Sequence, residues 1–251
     1  MSRMADAEMP LVEHLRELRT RLLRAVASIL VVFIMLAPFA DPLYQMLSKP
    51  LLAHFPADAK LIATDVAAPF FAPFKLTLVA AFFLALPFVF YELWRFVAPG
   101  LYRHERKLIA PLLVSSVLLF YLGVAFAYFV VFPLVFAFFT QTAPEGVTVM
   151  TDISSYLDFT LKLFFAFGLA FEIPIATVLL IWSGITSVES LRNKRPYVIV
   201  GAFAIGMFLT PPDAISQTLL AVPMWLLFEL GVWLGRWVKQ GKGGHEEYEG
   251  D

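Results

Sequence analysis

Cysteine is absent from this 251-residue chain, and histidine occurs only four times. The first absence excludes structural disulfides, thiolate metal sites and cysteine nucleophiles. H-E-x-x-H, G-x-S-x-G, a phosphate-binding P-loop and a dinucleotide fingerprint are also missing. His14, His104 and His245 fall in charge-rich stretches, with His54 apart from them, and no metal-ligand spacing links them. The chain is therefore expected to be no enzyme, to carry no cofactor and to bind no nucleic acid. Charge is scarce as well. Asp, Glu, Lys and Arg make up 16% of the residues, against roughly a quarter in a globular domain.

What fills the sequence instead is apolar. Hydrophobic residues reach 60%, phenylalanine alone contributes 26 positions, and mean hydropathy is +0.77. Once the apolar segments are removed, no soluble domain of useful size remains. The composition predicts an all-α polytopic membrane protein. The net charge of -1 matters less than where the charges fall.

Taken in order, residues 1–24 carry no cleavable signal: charges precede the first apolar block and no small-residue cleavage site follows promptly. Leu11, Leu15, Leu18 and Leu22 recur on one helical stripe, and Glu17 can pair with Arg21 one turn on. This predicts a short amphipathic helix on the bilayer surface that bends into the first span, residues 22–40. Pro38, Pro42, Pro50, Pro56 and Pro69 punctuate the long segment that follows, which is expected to cap the bundle. Further spans are predicted at 73–90, 108–132, 159–182, 197–210 and 214–234. Together they give a single six-span domain over 1–236 and a charged, disordered tail over 237–251. Of the 19 Lys and Arg, all but Lys49, Lys60, Lys75 and Lys162 fall at the N-terminus, after spans two and four, or in the tail. By the positive-inside rule both termini are then cytoplasmic.

One charged island stands out, W-R-F-V-A-P-G-L-Y-R-H-E-R-K over residues 94–107. Its bases fix topology. Glu105 does not serve that purpose, and a carboxylate beside Phe96, Leu101 and Tyr102 suits a positively charged apolar peptide. Two further features break the ordinary rules for spans. Residues 197–210 are too short for the ~20 helical positions that a 30 Å core demands, and Glu229 interrupts the longer sixth span. Short fifth and sixth spans are therefore expected, with a thinned bilayer near them. Glu172 lies mid-span, two residues before Pro174, where a carboxylate costs ~2.5–3.5 kcal/mol. An internal hydrogen bond and a functional polar site both accommodate it. A secondary transporter using Glu172 is the alternative overall reading, although no internal repeat of the kind such transporters carry is visible.

The motifs H-L-R-E-L-R-T-R-L-L (14–23), S-K-P-L (48–51), I-A-T-D-V-A-A-P-F-F (62–71), F-V-A-P-G-L-Y-R-H-E-R (96–106), F-E-I-P (171–174), R-P-Y-V (195–198) and T-P-P-D (210–213) occur in order along the chain. In these stretches, about 10–236, the chain resembles the TatC family, the multi-spanning core of the twin-arginine protein translocase of the bacterial cytoplasmic (inner) membrane. The resemblance implies a receptor and scaffold for export of folded proteins, driven by the proton-motive force. It implies that Glu17 and Glu105 accept the two arginines of a signal peptide, that Phe96 and Leu101 shape the site, and that Arg19 belongs to the surface helix or a partner contact. It further implies single-span TatA- and TatB-type partners, other TatC copies and membrane lipid. Glu172, Met207, Thr210 and Gln217 would meet a partner helix, and Pro50 and Asp213 would shape the outer cap and turn. Gly100 departs from some relatives, which carry a side chain there.

Overall fold

The computed structural model describes residues 2–52, 62–97, 109–141, 152–209 and 214–246. Among these residues the chain is helical apart from short turns and one isolated parallel bridge between Ile62 and Asp152. Five apolar helical runs are long enough to cross a bilayer: Val12–Leu47, Ala68–Phe96, Ala110–Val135, Ile153–Trp182 and Gln217–Trp237. A sixth apolar helix, Arg195–Leu209, is shorter. The all-α, six-span architecture is the one expected. The chain divides into two compact units, residues 1–117 with 152–154, and residues 118–151 with 155–251.

In the first unit, α1 (Ser2–Leu36) is one uninterrupted helix. The amphipathic segment forms the early turns of the same continuous helix that carries the first span. The reason is local: no Gly or Pro lies between Leu11 and Leu36, so no residue there interrupts the hydrogen-bond ladder. Pro38 then tightens the chain into a 3₁₀ turn, Ala37–Phe39, and α2 (Ala40–Leu52) follows. The start of the segment read as a cap is thus helical, and it packs on α3 (Ala68–Val97). Helices α1 and α3 form the main packing pair of this unit, and three contacts show that they run antiparallel. Phe33 meets Phe74 edge to face at 4.9 Å, Arg21 meets Glu92, and His14 stacks on Phe96 at 4.4 Å.

Small buried residues on α3 (Ala72, Ala81, Ala85) and Ala25 on α1 allow close helix approach. Most other side chains of α1 face outward, among them Leu22, Leu30, Ile34 and Met35, as lipid contact would permit. Asp152 fastens the loop before α3. Its Oδ2 accepts from Thr64 N at 3.0 Å and Thr64 Oγ1 at 2.7 Å, while its Oδ1 accepts from Ser154 N at 2.9 Å.

The second unit begins within α4 (Ile109–Phe126), which passes through a π turn, Ala127–Val131, into α5 (Phe132–Gln141). The apolar run of the third span ends at Val135, close to the predicted 132, and helix continues beyond it to Gln141. The fourth span, Ile153–Trp182, is made of α6 (Ile153–Ala170) and α7 (Ile173–Trp182) with a short turn between them. The break falls at Phe171 and Glu172, because Pro174 has no N–H for the carbonyl of Ala170. A short α8 (Val188–Asn193) is capped by Ser187, whose hydroxyl accepts from Ser190 N at 3.1 Å. Helix α9 (Arg195–Leu209) has 15 residues, roughly 22 Å, so the predicted shortness holds. Helix α10 (Ala214–Glu246) continues past 236. The segment from 237, expected to be disordered, continues the helix to Glu246.

Glycines set the spacing in this unit. A Cβ on Gly123 would lie 2.4 Å from the Phe167 carbonyl oxygen, and one on Gly168 2.7 Å from the Phe120 ring. On α10, a Cβ on Gly231 would meet Pro174 Cα at 2.8 Å, and one on Gly235 would meet Ile181 at 2.2 Å. The Gly231-x-x-x-Gly235 pattern therefore seats α7 against α10 within the chain. Ala170, Ala202, Ala221 and Met224 close the core where the break after α6 meets α9 and α10.

Candidate functional site

The basic end of α1 and the end of α3 build a polar cluster that the sequence only half announces. Glu17 and Arg21 lie one turn apart on α1, and they pair as expected. Arg21 Nε donates to Glu17 Oε1 at 3.0 Å, and its Nη2 donates to the same oxygen. The remaining arm, Nη1, donates to Glu92 Oε2 at 3.0 Å. Glu92 also faces Arg24, whose Nη1 stands 4.0 Å from Oε1. The side chain of Glu92 is only 4% exposed, that of Arg21 13%, that of Glu17 35% and that of Arg24 56%. A carboxylate so enclosed is tolerable because cations answer it on two sides.

The aromatic wall of the cluster comes from α3. Phe96 is half-buried and lies nearly parallel to the His14 imidazole, with an interplanar angle of 21°. Below it Arg95 Nη1 donates to the Tyr91 hydroxyl at 3.1 Å, and its guanidinium carbon stands 5.5 Å from the Tyr91 ring centre. Trp94 is buried, and its indole Nε1 has no hydrogen-bond partner among the described residues. Of the predicted peptide contacts, Glu17 and Phe96 flank this cluster, and Arg19 is exposed on α1. Leu101 and Glu105 lie outside the described residues.

Glu92 was not foreseen. Its signal was available, since a carboxylate between Tyr91 and Trp94 at the end of an apolar run requires a base nearby. Arg21 and Arg24, three residues apart on the first helix, supply two. Sequence spacing alone does not show that the two helix ends meet.

The residues expected to face a partner helix lie in the second unit. Glu172 caps α7 with φ −78° and ψ −16°, makes no capping hydrogen bond, and keeps Oε1 away from solvent. Its neighbours Ile173 and Pro174 pack against α10. Met207 on α9 is 54% exposed. Gln217 on α10 is half-buried, and a Cβ on Gly206 would sit 3.4 Å from its carbonyl oxygen, so α9 and α10 approach closely there. Thr210 and Asp213 lie outside the described residues, as does the side chain of Pro50 in α2. Nearby, the π turn and the start of α10 enclose an apolar cleft of about 650 Å³ lined by Phe126, Val130, Leu134, Ile215, Leu219 and Val222. At the other end of the α9–α10 hairpin, Arg195 Nη2 donates to Glu229 Oε2 at 2.5 Å.

Comparison with known proteins agrees with this architecture over nearly its whole length. A family model described as Sec-independent protein translocase protein (TatC) matches residues 13–223. The Sec-independent protein translocase protein TatC of Azotobacter chroococcum is 63% identical over 231 residues, 92% of this chain and 91% of that protein. The Escherichia coli K12 protein of the same name is 58% identical over 238 residues, 95% of this chain and 92% of that one. A crystal structure described as the twin arginine translocase receptor TatC superposes with a TM-score of 0.81 at 38% identity, covering 90% of this chain and 99% of that one.

Proposed function

This chain belongs to the TatC family, and from that premise we propose that it is the signal-peptide receptor and membrane scaffold of a translocase that exports folded proteins. It is a non-enzymatic, multi-pass component of protein transport. Fifteen of the 19 Lys and Arg gather at the N-terminus, the tail and the loops after spans two and four, which supports cytoplasmic termini. The polar cluster at the end of α1 then faces the cytoplasm, where signal peptides arrive.

One observation carries the site reading. The Glu17 carboxylate already accepts an arginine side chain through two N–H groups, beside the half-buried ring of Phe96. Arginine's planar fork suits such a carboxylate, whereas lysine offers a single rotating ammonium. Glu17 supplies one seat for a twin-arginine motif and Glu105, on the adjoining loop, supplies the second. Phe96 and Leu101 hold the apolar residues after the arginines, and Arg19 contributes to the surface around them. Glu172, with Met207, Thr210 and Gln217, faces the single-span TatA- and TatB-type subunits. Pro50 and Asp213 shape the opposite side. The proton-motive force drives export.

The decisive experiment crosslinks a twin-arginine signal peptide to the purified protein. Glu105→Gln and Glu17→Gln should each abolish the adduct while leaving thermal unfolding unchanged; undiminished crosslinking to both sinks the site. Glu172→Ala should keep the peptide adduct and weaken copurification of a single-span partner.

A further inference from the structure

We propose that Glu92 is a positioning residue for peptide binding, holding Arg21 so that an incoming arginine can take its place on Glu17. The proposal rests on the reading of Glu17 as a signal-peptide contact and adds the question of what occupies Glu17 beforehand. The answer is Arg21, whose Nε and Nη2 both fall on Glu17 Oε1. An arriving guanidinium therefore competes with one already seated, and the exchange is like for like.

The two ends of the Arg21 fork differ in how they can let go. Glu17 is 35% exposed, so water or a ligand can replace Arg21 there. Glu92 is 4% exposed, and losing its 3.0 Å bond from Arg21 would leave a charge enclosed and poorly paired. Arg21 should thus pivot on Glu92 and release Glu17, in preference to the reverse. Arg24, 4.0 Å from the other oxygen of Glu92 and 56% exposed, keeps that carboxylate partly compensated during the exchange. At rest the two carboxylates and two guanidiniums of the cluster balance. A ligand arginine brings one further positive charge, which Glu17 meets once Arg21 has left it. Without the charge on Glu92, Arg21 would depend on Glu17 alone and compete harder.

The test measures binding of a synthetic peptide with two adjacent arginines and an apolar segment to the full-length protein in detergent, with a Lys-Lys peptide as control. Glu92→Gln should weaken Arg-Arg binding about fivefold to tenfold, a usual size for coupling between linked groups. Arg21→Gln should bind at least as tightly as the parent. The double variant Arg21→Gln/Glu92→Gln should return to within about twofold of the parent, the range in which uncoupled changes add. A purely structural role for Glu92 predicts no such rescue. Unchanged binding in Glu92→Gln, or a double variant as weak as the single one, overturns the proposal. If Glu92→Gln does not fold, Arg21→Gln decides by itself, and weaker binding there overturns the exchange. Glu17→Gln separates the two levels. If it binds the peptide normally, the underlying site reading fails. If it abolishes binding while Glu92→Gln has no effect, only the role of Glu92 falls.

Discussion

The two units of this protein both bring helices close through small residues, and differ in where a polar network joins them. In the first, α1 and α3 meet at their basic ends through a network of carboxylates and guanidiniums, with Glu92 enclosed between Arg21 and Arg24. In the second, α10 meets α7 through backbone and small side chains, with Gly231 and Gly235 admitting Pro174, Thr177 and Ile181. The Gly231 contact has one arrangement, because a Cβ added there lies 2.8 Å from the Pro174 backbone. The ion-pair network shares its donors instead, since Arg21 reaches both Glu17 and Glu92 while Arg24 also faces Glu92. The first unit thus offers a shared, partly exposed polar cluster, and the second a close backbone contact beside the turn at Glu172.

The comparison can be broken most readily at the glycines. Gly231→Leu places atoms within 2.8 Å of the Pro174 backbone and should cost about 3 kcal/mol, at the upper end for overpacking. It should lower the thermal midpoint in detergent by more than any change in the polar cluster. A variant that unfolds at the parental temperature would show that α7 and α10 are not held by this contact. Next in size is Arg21→Leu, which leaves Glu92 with only the distant Arg24 and should cost about 2 kcal/mol, below the loss for a fully buried pair. Adding Glu92→Leu should recover most of that, because the uncompensated charge disappears with it. Recovery there and none from any second change near Gly231 would sharpen the contrast between the two kinds of contact.

Smaller effects follow elsewhere. Arg195→Gln cuts the pair to Glu229, where the arginine side chain is 38% exposed, and should cost about 1 kcal/mol. Its signature is salt dependence, since a partly exposed pair is screened. A similar loss is expected from Asp152→Asn, which weakens the bonds to Thr64 and Ser154, about 1 kcal/mol for hydrogen bonds at an exposed site. Limited proteolysis of the loop before α3 should speed up in that variant while the α1–α3 pair stays intact.

Much of the fold could be read from residue order. Composition and apolar run length predict an all-α chain with six spans, and the spacing of Pro38 and Pro174 marks where helices change. The boundaries were less legible. Helix continues past the apolar run of span three to Gln141 and past that of span six to Glu246, because transfer energy marks the apolar run and not where the backbone hydrogen-bond ladder stops. The surface helix and first span proved to be one helix, α1, since a charged face does not by itself break a hydrogen-bond ladder. Of the site, Glu17, Phe96 and the Glu17–Arg21 pair were visible from spacing on one helix or from motif. Glu92 was not, because its partners lie 71 and 68 positions away in the chain.

The amino-acid sequence by itself determined that this chain enters a bilayer, that it does so as six apolar helical runs, and which short motifs tie it to the TatC family. Those are consequences of transfer energy and backbone chemistry, which act residue by residue. Only the tertiary structure decided that Arg21 is shared between Glu17 and Glu92, and that Gly231 and Gly235 serve a contact within the chain. Both depend on which helix faces lie together, and a single carboxylate or a single glycine carries no record of what it will meet.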